Sequence, residues 1–475
     1  MVMAWEVAIH LLLQFLNFSL VASTDTPNIV FIFADDLGWN HVSWNNPSVL
    51  TPHMQVLAET GVILDQSYVQ PLCTPSRSAL MTGMYPFHLG RQHGVLAGPM
   101  PTGLSRNYTL LPEKLSSLGY ATHMVGKWHL GMCDWSYTPT YRGFDSFYGF
   151  YSGSNDYYSH NTSGNGHGSG GFDFRDNEMI AFETAGTYAT ELFTEKAVEI
   201  IENHQTQENP FFLYIAHENV HFPYQVPKEY YDLYPDVEDD DTHIALGMVS
   251  AMDKSVGAVV DALKSTGQYD NTVIIFSTDN GGVGNLIDAN YPLRGNKAHV
   301  WEGGTRGAGF IYSSLLQDIP RVYNGLMHVT DWHNTLLDIA GSQSLPDNDG
   351  FSQWEALKTG QSPSPRDTLI YNIDETDSEK GIIGAIRVGD YKYIMGESDK
   401  VNNEEGPWLF DLSDDPNESM NLVLEKPVLA NELEELLLGE LSTLVPADLP
   451  KGDPAGDPSN WGGVVSPGWC PATTE

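Results

Sequence analysis

Cysteine is nearly absent from this chain: 475 residues carry only Cys73, Cys133 and Cys470. So few thiols exclude a disulfide-built scaffold, and the odd count leaves one unpaired. Basic residues are scarce too, 23 Lys and Arg against 62 Asp and Glu, for a formal net charge of −39. Charging every histidine would still leave the chain acidic. Such a surface repels polyanions at long range, which excludes nucleic acid as a partner and disfavours densely anionic polymers unless a local basic pocket intervenes. The run Glu238-Asp239-Asp240-Asp241 reads as solvated acidic surface. Past the amino-terminal segment, no apolar run approaches the ~20 residues that span a bilayer, so no membrane partner is expected.

What is present is an ordinary globular composition, 41% hydrophobic, enough for one large domain and a smaller one. Residues Met1 to Ser23 hold the apolar run Ile9 to Leu16 and the small residues Val21-Ala22-Ser23, the pattern of a signal peptide cleaved near Ser23, although Glu6 stands there without any Lys or Arg. The secretory pathway, ending outside the cell or in the lysosome, is therefore expected. Asn107-Tyr108-Thr109, Asn161-Thr162-Ser163 and Asn417-Glu418-Ser419 fit the glycosylation acceptor pattern.

Short β-branched and aromatic runs alternate with helical patterns, which predicts an α/β fold around a large, mostly parallel sheet flanked by helices. Four runs organise it: Asn28 to Phe33, Ala121 to Val125, Phe211 to Ile215 and Thr272 to Phe276. Each is followed at once by polar residues, and in open α/β sheets the site lies beyond the carboxyl ends of the strands. Leu192, Phe193, Ala197, Ile200 and Ile201 share one helical face, as do Leu246, Val249, Met252, Val256, Val260 and Leu263. Ser152 to Gly171, with His160 and His167, reads as a solvated Gly- and Ser-rich loop. After Pro363 the pattern becomes that of a small α+β domain. Ile383–Val388 and Tyr391–Ile394 form a hairpin turning at Gly389-Asp390, and Trp408–Leu412 adds a strand. A helix opening at Pro427 buries Leu429, Leu433, Leu436, Leu437 and Leu441. The tail beyond Pro446 is expected to lie irregularly over the surface. The expected division is 1–23 signal peptide, 24–365 catalytic domain, and 366–475 small antiparallel-sheet domain with its tail.

Asp35-Asp36 ends the first strand and Asp279-Asn280-Gly281-Gly282 ends another, so four hard oxygen-bearing side chains can meet at one sheet edge. Oxygen donors of this kind favour Ca²⁺ or Mg²⁺ over zinc. Between them in sequence comes Cys73-Thr74-Pro75-Ser76-Arg77-Ser78-Ala79-Leu80-Met81-Thr82-Gly83, which resembles the sulfatase signature, where a Cys followed by x-Pro-x-Arg is oxidised to formylglycine. Gly126-Lys127-Trp128-His129-Leu130-Gly131, His221 in Asn219-Val220-His221-Phe222-Pro223, and Lys297 in Arg294-Gly295-Asn296-Lys297 extend the resemblance. Within that family the chain looks most like the arylsulfatase B group, whose members act on sulfated N-acetylgalactosamine or small aryl sulfates.

The resemblance implies an alkaline-phosphatase-like fold, one Ca²⁺ ion held by Asp35, Asp36, Asp279, Asn280 and the residue at 73, and the formylglycine-generating enzyme as a maturation partner. The substrate would be a sulfated small molecule or carbohydrate. Hydrated formylglycine would attack sulfur, His221 or Lys297 would bind sulfate and protonate the leaving alkoxide, and His129 would take the proton that expels sulfate. Arg77 and Lys127 would hold the formylglycine and balance the carboxylates. His217 lies four residues before His221, but the family context falls on His221. With Cys73 so engaged, Cys133 and Cys470 remain as a candidate bridge. Two rivals share parts of the pattern: a phosphatase or phosphodiesterase of the same superfamily, and a non-catalytic acidic calcium-binding matrix protein on this fold. The first typically places His where Asn280 stands. The second is opposed by the presence of every expected catalytic position.

Overall fold

A computed structural model describes residues 26–162, 170–375, 381–396, 398–399 and 404–470. The apolar segment Met1 to Ser23 and His167 lie outside them. Ten strands make the main sheet: β1 (Asn28–Ala34), β2 (Val62–Leu64), β3 (Ala121–Lys127), β4 (Ser146–Phe150), β5 (Arg175–Asp176), β6 (Met179–Ile180), β7 (Phe211–Ala216), β8 (Thr272–Thr278), β9 (Phe310–Tyr312) and β10 (Arg321–Tyr323). Their spatial order is β10-β2-β9-β8-β1-β7-β3-β4-β5-β6. The middle five, β8-β1-β7-β3-β4, run parallel; antiparallel pairs adjoin them on both flanks, and the outermost pair β10-β2 is parallel again.

Every residue of β1 is buried, as a central strand covered on both faces requires. Ile29, Phe31 and Phe33 enter one core with Ala79, Leu80 and Met81 of helix α1 (Cys73–Thr82). Val30, Ile32 and Ala34 enter another, with residues of α2 (Ala189–Asn203) and α3 (Asp240–Ser265). Each of the four organising strands predicted for this sheet is found, extended by one or two residues at its carboxyl end. The two helical faces pack as expected, with Leu192 and Leu246 at the partly buried margin. Among the described residues no helix is long and apolar enough to cross a membrane.

A four-stranded antiparallel sheet follows, β11 (Thr368–Glu375), β12 (Ile382–Val388), β13 (Tyr391–Met395) and β14 (Trp408–Asp411), with α4 (Pro427–Gly439) against it. The hairpin turns where predicted. One helix position is corrected: Ala430, Leu433 and Leu437 are buried, but Leu436 is 54% exposed. The buried register runs Ala430, Leu433, Leu437 (i, i+3, i+7), which leaves Leu436 roughly 90° round the helix from the centre of that stripe. The small sheet joins the large domain through a shared core containing Tyr68, Tyr85, Phe87 and Trp301, and through a buried ionic cluster. Lys392 Nζ lies 2.9 Å from Glu302 and 2.8 Å from Glu418, all three fully buried.

The stretch beginning at Ser152 departs from its reading as a solvated loop. His160 is fully buried, its Nε2 donating to the Thr184 carbonyl at 3.1 Å and its ring 4.5 Å from that of Phe174. The Gly- and Ser-rich composition concealed an aromatic contact made by residues distant in sequence.

Candidate functional site

The carboxyl ends of β8, β1, β7 and β3 lie side by side, and the polar residues that follow or end these strands converge there. Asp35 and Asp36 follow β1, Asp279 and Asn280 follow β8, Lys127 ends β3, and Cys73 begins α1. All six are buried. Cys73 Sγ is 3.6 Å from Asp35 Oδ1. Arg77, one turn along α1, donates from Nε and Nη2 to Asp279 Oδ2 at 3.2 and 2.9 Å, and its Nη2 is 3.5 Å from Asp35. Its Nη1 donates to the Lys127 carbonyl at 3.1 Å, and Lys127 Nζ donates to Asp35. Lys297 Nζ is 2.5 Å from Asp36 Oδ1.

Three carboxylates therefore face three cations. Burial, reinforced by the Asp279 charge, pushes Asp35 up to about 7 against the pull of Lys127. Burial would also raise Asp36, but Lys297, then His221 and the Asn280 amide, hold it below the usual carboxylate range. The carboxylates in turn hold Lys127 and Lys297 charged despite burial. Burial, with the Asp279 charge, drives the Cys73 thiol upward, so as a thiol it stays neutral.

The donor set fits a hard cation. Ligand atoms of Asp35, Asp36, Cys73 and His221 lie within 4.8 Å of one another. Asn280 donates from Nδ2 to Asp36 Oδ1 at 2.8 Å, while its buried Oδ1 has no partner. An orphaned amide oxygen beside carboxylates is a ready calcium donor.

The histidines take distinct states. His129 Nε2 donates to the Leu96 carbonyl at 3.0 Å, leaving the buried Nδ1 without a partner. Burial, then the charges of Lys127 and Arg77, keeps it well below the ordinary histidine range. His221 Nδ1 donates to the Phe222 carbonyl at 2.6 Å and its Nε2 is 3.8 Å from Asp36. Burial depresses it to about 3, although Asp36 opposes this. His217 is buried away from the carboxylates, against Phe193.

Asp36 and His129 both have left-handed backbones, φ 58° and 59°, as do six other non-glycine residues among those described; Asp and His adopt this conformation more readily than most residues. Neither this nor the two partners of His129, the Leu96 carbonyl and Gly153, was visible in sequence. A Cβ at Gly153 would meet the imidazole at 2.6 Å.

Residues 27–342 match the model of the sulfatase family. The chain is 37% identical to arylsulfatase J of Mus musculus over 486 residues, covering 94% of this chain and 81% of that protein. It is 30% identical to human arylsulfatase A over 444 residues, covering 84% and 83%. Among solved structures, Ps i-CgsB in complex with k-i-k-neocarrahexaose superposes with a TM-score of 0.78 at 26% identity, covering 90% of this chain and 95% of that one. A sheet edge that gathers carboxylates, cations and a helix-initiating cysteine, within a match of this length, has one reading: the chain belongs to the sulfatase family and is a sulfuric ester hydrolase.

Proposed function

We propose that this chain removes a sulfate from a sulfated sugar or aryl ring, using formylglycine made from Cys73 and one Ca²⁺ ion, in the manner of the arylsulfatase B group. The observation that carries this reading is the placement of Cys73 Sγ 3.6 Å from Asp35, in a buried site where an unpartnered Asn280 oxygen adjoins Asp36. The carbohydrate ligand of Ps i-CgsB and the arylsulfatase relatives support the two substrate classes.

Asp35, Asp36, Asp279, Asn280 and the modified residue 73 would hold the ion. When present, the ion draws charge from the sulfuryl oxygens and the hydrated aldehyde supplies the attacking hydroxyl. The remaining roles fall to side chains. Arg77 and Lys127 keep Asp279 and Asp35 oriented toward residue 73. Lys297, charged and 16% exposed at its side chain, faces the mouth of the site and suits sulfate binding. Lys297, being charged, can also protonate the leaving alkoxide; His221, depressed to about 3 by burial, is unprotonated until an anionic ester beside it raises its hold on a proton, and takes that role only then. The Leu96 hydrogen bond fixes His129 with Nδ1 as its proton-accepting nitrogen.

Asn107, Asn161 and Asn417 are all exposed, and Cys133 and Cys470 form a disulfide. Both features support passage through the secretory pathway, in whose endoplasmic reticulum the formylglycine-generating enzyme would act, and onward to the lysosome or the exterior. We retain 24–365 as the catalytic unit and 366–475 as the second.

The test is the mass of the peptide spanning Cys73, with turnover of an aryl sulfate and the matching phosphate ester assayed with and without a calcium chelator. An aldehyde at position 73 and chelator-sensitive sulfate hydrolysis are expected. A plain thiol in protein that still hydrolyses sulfate, or preference for the phosphate ester, would refute the reading.

A further inference from the structure

The carboxy-terminal tail lies irregularly over the surface, as expected, but is stitched to it. Val445 N donates to the Phe87 carbonyl at 2.8 Å, Asp453 N to that of Pro99 at 2.8 Å, Val465 N to that of Phe172 at 2.9 Å and Gly468 N to that of Cys133 at 2.8 Å. The Cys133–Cys470 bridge closes this path, and Trp469 packs against the bridge. The stitched segment ends at a cavity of about 140 Å³ that His129 and His221 also line. Gly456, Pro458, Val465, Ser466 and Trp469 form the tail's side of it. A side-chain carbon at Gly456 would come within 2.5 Å of the indole, so glycine there lets the ring rest on the backbone. Among the described residues, no Lys, Arg, Asp or Glu lines this cavity.

We propose that Trp469 determines specificity for the group that leaves with the ester oxygen, and that the tail selects a ring bearing one sulfate and no second anionic group. This rests on the sulfatase function proposed above. A substrate whose sulfur sits among Lys297, His221 and residue 73 must extend its leaving group past the two histidines, and the cavity is the space they border. An indole offers an apolar face to an aryl ring or to the C–H face of a pyranose. A second sulfate would lose water in this cavity without meeting a cation, which costs binding free energy.

The test compares wild type, Trp469→Ala and Trp469→Phe, each with conversion at position 73 measured and thermal melting recorded. The substrates are methylumbelliferyl sulfate and N-acetylgalactosamine carrying one or two sulfates, with inorganic sulfate as competitive inhibitor. Trp469→Ala is expected to raise KM about tenfold with little change in kcat, leave the inhibition constant of inorganic sulfate unchanged, and be largely rescued by Trp469→Phe. Wild type is expected to favour the monosulfated sugar about tenfold in kcat/KM. An unchanged KM in Trp469→Ala, an equal rise in the inhibition constant of sulfate, or equal use of both sugars would overturn the proposal. Absence of turnover by converted wild-type enzyme on every ester would instead refute the underlying sulfatase reading, and the role of Trp469 with it.

Discussion

Arg77 and Asp279, 202 residues apart, are joined by two hydrogen bonds onto a single carboxylate oxygen, at 3.2 and 2.9 Å, and neither side chain sees solvent. The other oxygen of Asp279 accepts from the Asp36 backbone at 3.2 Å. This pair ties α1 to the end of β8. Removing one partner strands a buried charge, so Arg77→Ala is expected to cost about 3–5 kcal/mol, read from urea unfolding. Arg77→Lys should lose less, because it keeps the charge but not the forked geometry. A midpoint for Arg77→Ala equal to wild type would contradict this account.

Cys73→Ala removes one buried sulfur, a small volume change, so stability should fall by about 1 kcal/mol or less while sulfate ester turnover disappears. Cys73→Ser retains one hydroxyl, able to attack but lacking the second needed to expel sulfate. Intact-protein mass spectrometry should therefore detect a sulfated Cys73→Ser enzyme after incubation with substrate. Steady turnover by either variant would exclude the proposed nucleophile.

Three carboxylates balanced by three cations leave room for a divalent ion that restores net positive charge where an anionic ester must bind. Calcium at a hundred times its dissociation constant should add about 2.7 kcal/mol of stability, visible as a higher melting temperature than in chelator. Asn280→Ala should reduce this gain by removing the orphaned oxygen. Identical melting with and without calcium would count against the ion site.

The Glu302–Lys392–Glu418 cluster predicts a pH dependence of stability. Burial, then repulsion from Glu302, raises Glu418 to about 7 from 4.5, with Lys392 opposing. An acid raised on folding binds its proton more tightly in the native state. Its contribution is therefore present at low pH and is lost as pH rises from the unfolded value toward 7. Glu418→Gln should flatten the decline in melting temperature between mildly acidic and neutral pH. A slope equal to that of wild type would exclude Glu418 as its source.

Much of the site was legible in the residues themselves. Four apolar runs, each ending in polar residues, were enough to expect Asp35, Asp36, Asp279 and Asn280 at one edge, because adjacent parallel strands end together. The Cys73 and Lys127 motifs could be added by likeness. The failures were of another kind. Leu436 is apolar but lies roughly 90° round α4 from the centre of its buried stripe, and only packing decides which face that stripe occupies. His160 sat in a stretch whose composition suits solvent, yet Phe174 and the Thr184 carbonyl enclose it.

Sequence by itself determined the alternation of strands and helices, the donor types at the sheet edge and the acidic surface, because these depend on local period and residue chemistry. Only the tertiary structure decided that Leu96 orients the His129 ring, that Asp36 and His129 adopt left-handed backbones, and that Trp469 returns to the cavity they border. Those outcomes arise from contacts between segments far apart in the chain. Such contacts follow no residue period, and their energies exist only once the two surfaces have met.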